Sequence, residues 1–158
     1  MQPYEEILDA MQRDVSFGST TIHIFRAAEL GAQQVGYSVT ATGESLIGEK
    51  DGDWLKTWLV IGYEDLCGDP IFINTLEVAF PVYTAAHGEG RWDAVQIADS
   101  LLGFGSALSA IVRAAKGRKH PLALENNPLK PLDRETTLAD IREHNPSVNL
   151  GFWEAVLE

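Results

Sequence analysis

The apolar positions change period along the chain, and the changes mark out its elements. Tyr4, Ile7, Leu8 and Met11 recur at i, i+3, i+4 and i+7, which predicts a helix over residues 3–14 with one buried face. Pro3 suits the first helical position, and Glu5 and Glu6 suit the positive end of the helix dipole. Phe17-Gly18-Ser19 breaks that pattern. Thr20–Phe25 alternates and is β-branched, so it reads as a strand. A short helix over 26–34 ends at Gly36, and 37–46 is either an exposed strand or a loop.

The centre of the chain is β. Thr57–Tyr63 is nearly continuous apolar sequence, the mark of a strand covered on both faces. Asp69–Thr75, Val78–Ala85 and Arg91–Ile97 follow as strands, separated by turns. Pro81 cannot donate to a ladder, which places its strand at an edge or a bend. A helix over 99–116 is capped by Asp99 or Ser100 and carries Leu101, Phe104, Leu108, Ile111 and Val112 on one side. Gly103 and Gly105 within it allow close packing against the sheet. Residues 117–132 hold three prolines and read as irregular. Thr137–Asp140 resembles a capping box for a short helix ending before Pro146, and Gly151–Leu157 forms a last helical turn or two docked by Phe152 and Trp153.

Together these predict an α+β domain. Residues 1–116 make the main body, and 117–158 make an irregular segment with short helices docked on it. A chain of 158 residues fits one domain that buries roughly two-thirds of its unfolded surface.

Charge sharpens the picture. Residues 1–100 hold 16 acidic and 5 basic residues, whereas 101–158 hold 7 of each, so the whole net charge of -11 lies in the first part. Residues 44–99 alone hold 11 acids against Lys50, Lys56 and Arg91. Such a surface repels nucleic-acid backbones and steers a basic protein partner; solubility alone is the plainer account. Arg113, Lys116, Arg118 and Lys119 at the end of the long helix are explained by its dipole. The acidic N-terminus has no signal-peptide pattern and no apolar run reaches membrane length, so a cytoplasmic protein without membrane contact is expected. The lone cysteine, Cys67, fits a reducing compartment.

Candidate chemistry is sparse. His23, His87, His120 and His144 show no metal-ligand spacing, and neither a metal nor another cofactor is expected. Cys67 has no helix N-terminus to activate it and reads as a small, buried or half-buried residue. Glu64, Asp65 and Asp69 cluster at a turn and permit a hydrolase reading if a cleft separates their pKa values. The aromatic residues say more. Trp54 and Trp92 sit beside charged turn residues, so one or both are candidates for an anchor ringed by acids. The expected partner-binding set is Asp51, Asp53, Trp54, Glu64, Asp65, Asp69, Glu89, Trp92 and Asp93.

The stretches Trp58–Thr75 and Pro81–Phe104 resemble the core of the SUKH superfamily, which includes fungal regulators of cell-wall assembly and bacterial immunity proteins. The resemblance is carried by Ile61-Gly62, Gly68-Asp69-Pro70, Asn74-Thr75, Val82-Tyr83 and Ser100–Phe104. It spans about residues 54–112. The chain lacks a Leu-Pro turn before its first strand and has Asn74 where Asp is common, so its N-terminal helical layer is shortened or remodelled. The resemblance implies a mixed, mainly antiparallel sheet of about six strands with helices packed on it, and a non-catalytic immunity protein that binds and neutralises a toxin, often a nuclease. A regulatory interaction module of the cell-wall type is the second reading, and a carboxylate-dependent hydrolase the third.

Overall fold

The computed structural model describes residues 1–118, 121, 122, 124 and 127–158. Lys119 and His120, noted above, lie outside them. The element order is α1 (Pro3–Ala10), β1 (Asp14–Phe17), β2 (Thr20–Ile24), β3 (Trp58–Glu64), β4 (Pro70–Asn74), β5 (Val82–Thr84), β6 (Val95–Ala98), α2 (Leu101–Ala115), α3 (Pro131–His144) and α4 (Gly151–Val156). The six strands form one sheet in sequence order, β1 to β6. Every pairing between these strands is antiparallel, so the sheet is not mixed.

Five elements differ from expectation, among them the strand expected over Arg91–Ile97, which contracts to β6 at Val95–Ala98. α1 stops at Ala10 because Arg26 reaches back from behind β2: its guanidinium donates to the carbonyls of Leu8, Asp9 and Met11. The freed residues become β1, and the supposed break at Gly18-Ser19 is the turn of the β1–β2 hairpin. Gly18 has φ +61, and a Cβ there would stand 2.6 Å from the Val156 carbonyl, so only glycine fits. Residues 26–34 form two short 3-10 turns, not an α-helix. Val78–Ala85 contracts to β5, which lies between β4 and β6 with Pro81 just outside it, so the edges of the sheet are β1 and β6. Finally, α3 starts at Pro131, well before the supposed cap; Thr137 lies inside it and its hydroxyl donates to the Asp133 carbonyl one turn back.

The sheet is covered on both faces, as the unbroken apolar run of β3 requires. One face carries Val15, Phe17, Ile22, Ile24, Ile61, Ile71, Ile73 and Ile97 beneath the helices. α4 is latched there: Trp153 is fully buried and its Nε1 donates to the Ile97 carbonyl at 2.8 Å. The other face carries Val60 and Phe72 beneath Trp54, with Tyr37, Trp58, Tyr83 and Trp92 around them. The 25–57 connection supplies most of that cover. Where β2 ends, Gln34 substitutes for a neighbouring strand: its amide accepts from Val60 N at 3.0 Å and donates to the Val60 carbonyl at 2.9 Å.

Gly103 and Gly105 do permit close packing, but against helical neighbours instead of the sheet. A Cβ on Gly103 would lie 2.5 Å from Asn145 Oδ1, and one on Gly105 would lie 3.3 Å from Met11 Cε. Asn145 is wholly buried; its side chain accepts from Asp99 N and donates to the carbonyls of Gly103 and Ile141. It ties the start of α2 to the end of α3.

Candidate functional site

The turn 49–53 and the segment 91–94 meet at one end of the aromatic layer. Trp92 N donates to the Gly52 carbonyl at 2.8 Å. Gly52 has φ +89, and a Cβ on it would stand 2.9 Å from Arg91 Cβ, so the two segments close only over glycine. Arg91 clamps the junction: its Nη2 lies 2.9 Å from Asp51 and 2.7 Å from Asp93. Those two carboxylates, Asp93 foremost, hold the guanidinium further above its already high pKa. Asp53 accepts from Lys50 N at 2.9 Å. Between the segments runs a groove of about 430 Å³ with Trp58, Trp92, Asp51, Asp53, Asp93 and Leu55 in its lining.

The two tryptophans divide the roles. Trp54 is 1% exposed and cannot touch a partner. It is the hub of the aromatic layer, with Trp92, Trp58 and Phe72 rings at 5.3, 5.2 and 4.9 Å. As a surface anchor it is therefore corrected. Trp92 is half-buried, and its ring stands nearly perpendicular, at 78°, on that hub. A ring with one side fixed by the core and the other open loses little conformational freedom on contact, which is what an anchor needs.

The remaining acids form two further groups. Glu64 is buried, not on a rim. Its Oε1 accepts from Cys67 N and Asp69 N, and its Oε2 from Leu66 N, Cys67 N and the Thr20 hydroxyl. The carboxylate is the internal anion around which the β3–β4 turn is wound. Asp69 is half-buried beside it and accepts from both the backbone N and Nδ1 of His87. Cys67 is exposed, not buried, and the charges of Glu64 first and Asp69 last push its thiol pKa up. This is the reverse of nucleophile activation. Glu64, Cys67 and Asp69 offer ligand atoms within 4.8 Å of one another, but both Glu64 oxygens are already occupied by backbone donors.

Asp65 stands apart on the β1–β2–β3 side. It accepts from Thr21 N at 2.7 Å and faces His23, whose other ring nitrogen faces Asp14. The Thr21 bond, then the His23 contacts, lower its pKa. His23 itself stacks on Tyr63 at 4.7 Å. Glu89 is exposed in the turn between β5 and β6. So the structure gathers Asp51, Asp53, Trp92 and Asp93 into one site and leaves Glu64, Asp65, Asp69 and Glu89 outside it.

No family model, curated protein or solved structure matches this chain. The motif residues quoted above take these places. Gly68-Asp69-Pro70 leads into β4, Asn74-Thr75 closes it, Val82-Tyr83 lies in β5, and Ser100 caps α2 by accepting from Gly103 N. Among the described residues no helix is long and apolar enough to cross a membrane.

Sequence reasoning missed Glu49, which also lines the groove, and it missed Gln34, Arg26 and Asn145 as organisers. Glu49 had a signal, its place in the acidic turn. The other three had none, because each acts on backbone far away in sequence.

Proposed function

We propose that this chain is a non-catalytic protein-binding domain of the immunity type, working in the cytoplasm, that covers and neutralises a basic toxin. A nuclease suits the charge, since a phosphate-binding surface is cationic and an acidic inhibitor complements it. The observation that carries the reading is the half-buried Trp92, braced on Trp54 and ringed by Asp51, Asp53 and Asp93. An aromatic anchor with a charged rim is the usual anatomy of a tight interface. The Arg91 clamp holds Asp51 and Asp93 in position before any partner arrives, which reduces the ordering cost of binding.

Acid–base hydrolysis by Glu64 is disfavoured on physical grounds, because its oxygens hold the turn together. The test is co-expression of the chain with the product of the neighbouring gene, followed by affinity capture and a growth assay. The reading expects a basic toxic partner, captured by the wild type and lost from a Trp92→Ala, Asp93→Lys variant that melts normally. A harmless neighbour that does not co-purify refutes it. A housekeeping partner held through the same groove points instead to the regulatory module.

A further inference from the structure

The four carboxylates that line the groove between residues 49–53 and 91–94 are not equally engaged. Asp51 and Asp93 share the Arg91 guanidinium, at 2.9 and 2.7 Å. Asp53 bonds only a backbone donor, Lys50 N, through its Oδ2; its Oδ1 accepts nothing among the described residues. Glu49 is exposed and has neither an ion pair nor a hydrogen bond among them. The Lys50 side chain, exposed beside these acids, pairs with none of the four. Two carboxylates of the groove therefore lack a cation, those of Glu49 and Asp53.

The apolar part of the lining narrows the guest further. Trp58 and Trp92 are both half-buried and both line the groove. Each stands edge-on to the same buried ring, Trp54, at 89° and 78°, with centroids 5.2 and 5.3 Å away. The packed hub thus sets both indoles before a guest arrives. An indole face attracts a cation, most strongly where water is scarce. A neutral apolar side chain entering here would strip water from Glu49 and Asp53 without pairing them, which costs affinity. A lysine ammonium would reach a carboxylate only as a strongly hydrated point charge. A guanidinium meets both demands. Its weakly hydrated flat face stacks on an indole, and its in-plane N–H groups stay free to donate to carboxylates.

We infer that this groove receives one arginine side chain of the partner protein, its guanidinium stacked against the indoles of Trp92 and Trp58 and donating to Glu49 and Asp53. The inference deepens the protein-binding reading above and rests on it for the existence of a partner. Arg91 cannot serve as the guest, because Asp51 and Asp93 already hold it across the junction. A second copy of this chain is a poor source of the arginine, since each copy brings a net charge of -11.

The test uses the full chain and needs no partner. Nα-acetyl-arginine methylamide is titrated while NMR follows the indole N–H signals of Trp58 and Trp92. The lysine and citrulline derivatives of the same form are the comparisons; citrulline keeps the shape of arginine and loses its charge. The arginine probe is expected to shift both signals saturably, with a dissociation constant on the order of a millimolar for so small a ligand. The lysine probe should bind about fivefold more weakly or worse, and the citrulline probe should give no saturable shift. Glu49→Gln and Asp53→Asn should each weaken the arginine probe about threefold, the scale of a half-exposed charged pair. Asp140→Asn, on α3 at the other face of the sheet, should leave it unchanged. Glu49 is exposed, so its variant stays informative if Asp53→Asn loosens the Lys50 turn and lowers the melting temperature. Absence of a shift with the arginine probe overturns the inference. So does equal affinity for lysine or citrulline, or an affinity that Glu49→Gln does not move. The immunity reading then still stands on its own capture experiment. A saturable arginine site in a chain whose neighbour proves harmless refutes that reading instead and leaves the groove its guest.

Discussion

Glu64 decides between two accounts of the acidic centre of this chain, and Glu64→Gln separates them. If Glu64 were a rim charge, removing it would cost partner affinity and leave the fold intact. Its geometry says otherwise: four donors, three of them backbone N–H groups, converge on one buried carboxylate. Glutamine keeps one acceptor oxygen and turns two N–H groups toward donors, so it serves only about half of that set. A charge-assisted bond contributes roughly 1.5–3 kcal/mol, and a buried donor left unpaired costs about 1–3 kcal/mol. The turn at Leu66–Gly68 is exposed, so water recovers part of the loss, and the net cost comes to about 2–4 kcal/mol. With a urea slope of about 1–3 kcal/mol per M, the midpoint should fall by roughly 1–2 M. Tryptophan fluorescence during equilibrium urea unfolding reads it, with Glu89→Gln as the exposed-acid comparison, expected within about 0.5 kcal/mol of wild type. Equal midpoints for the two variants would refute the role assigned to Glu64.

Other consequences follow from the same contacts. Gln34→Leu leaves the buried N–H and carbonyl of Val60 without their partner and should cost about 2–4 kcal/mol by the same urea assay. Gly103→Ala drives a Cβ against Asn145 and should destabilise by about 1–3 kcal/mol, whereas Gly105→Ala meets only the flexible end of Met11 and should gain up to about 1 kcal/mol; thermal melts compare the pair. Cys67, its thiol pKa raised by Glu64 and Asp69, should react with iodoacetamide at pH 8 more slowly than glutathione does, and Asp69→Asn should speed it. Asp65 has a lowered pKa in the fold, so its stabilisation is present above the ordinary carboxylate range and is lost as pH falls through the folded value. Wild type and Asp65→Asn should therefore converge in urea midpoint toward pH 2, by a modest amount because the side chain is 43% exposed.

What was legible in the sequence was whatever a local pattern records. The unbroken apolar run of β3 announced a sheet with two covered faces, and Ser100 announced the start of α2. β1 was invisible because four residues cannot display an alternation that a preceding helical pattern does not mask. α3 was shortened because only Thr137 and Ile141 are buried on it, so it carries no apolar stripe; its place is set by Asn145 at its end. Trp54 and Trp92 have the same local company of aspartates, and only the closing of residues 49–53 onto 91–94 buries one and leaves the other half open. Likewise three neighbouring acids, Glu64, Asp65 and Asp69, point to three different sets of partners because the turn winds around the first of them.

That sorting has a consequence for how a basic partner would be held. The acidic excess is real as a long-range field, since pairing Asp51 and Asp93 with Arg91 does not change the net charge of -11. At contact distance much of it is already used. A partner arginine approaching Asp93 must compete with a guanidinium that is bonded to it at 2.8 Å through Nε. The charge should therefore act chiefly on the approach, and the lifetime of the complex should depend on the apolar contact with Trp92. Stopped-flow association with the captured partner would then slow steeply as salt rises, while dissociation changes little. Trp92→Ala should invert this, speeding dissociation by about tenfold or more with association nearly intact. A dissociation rate that rises with salt as strongly as association falls would mean that the acids themselves form the lasting contact, and Trp92 would lose its place as the anchor.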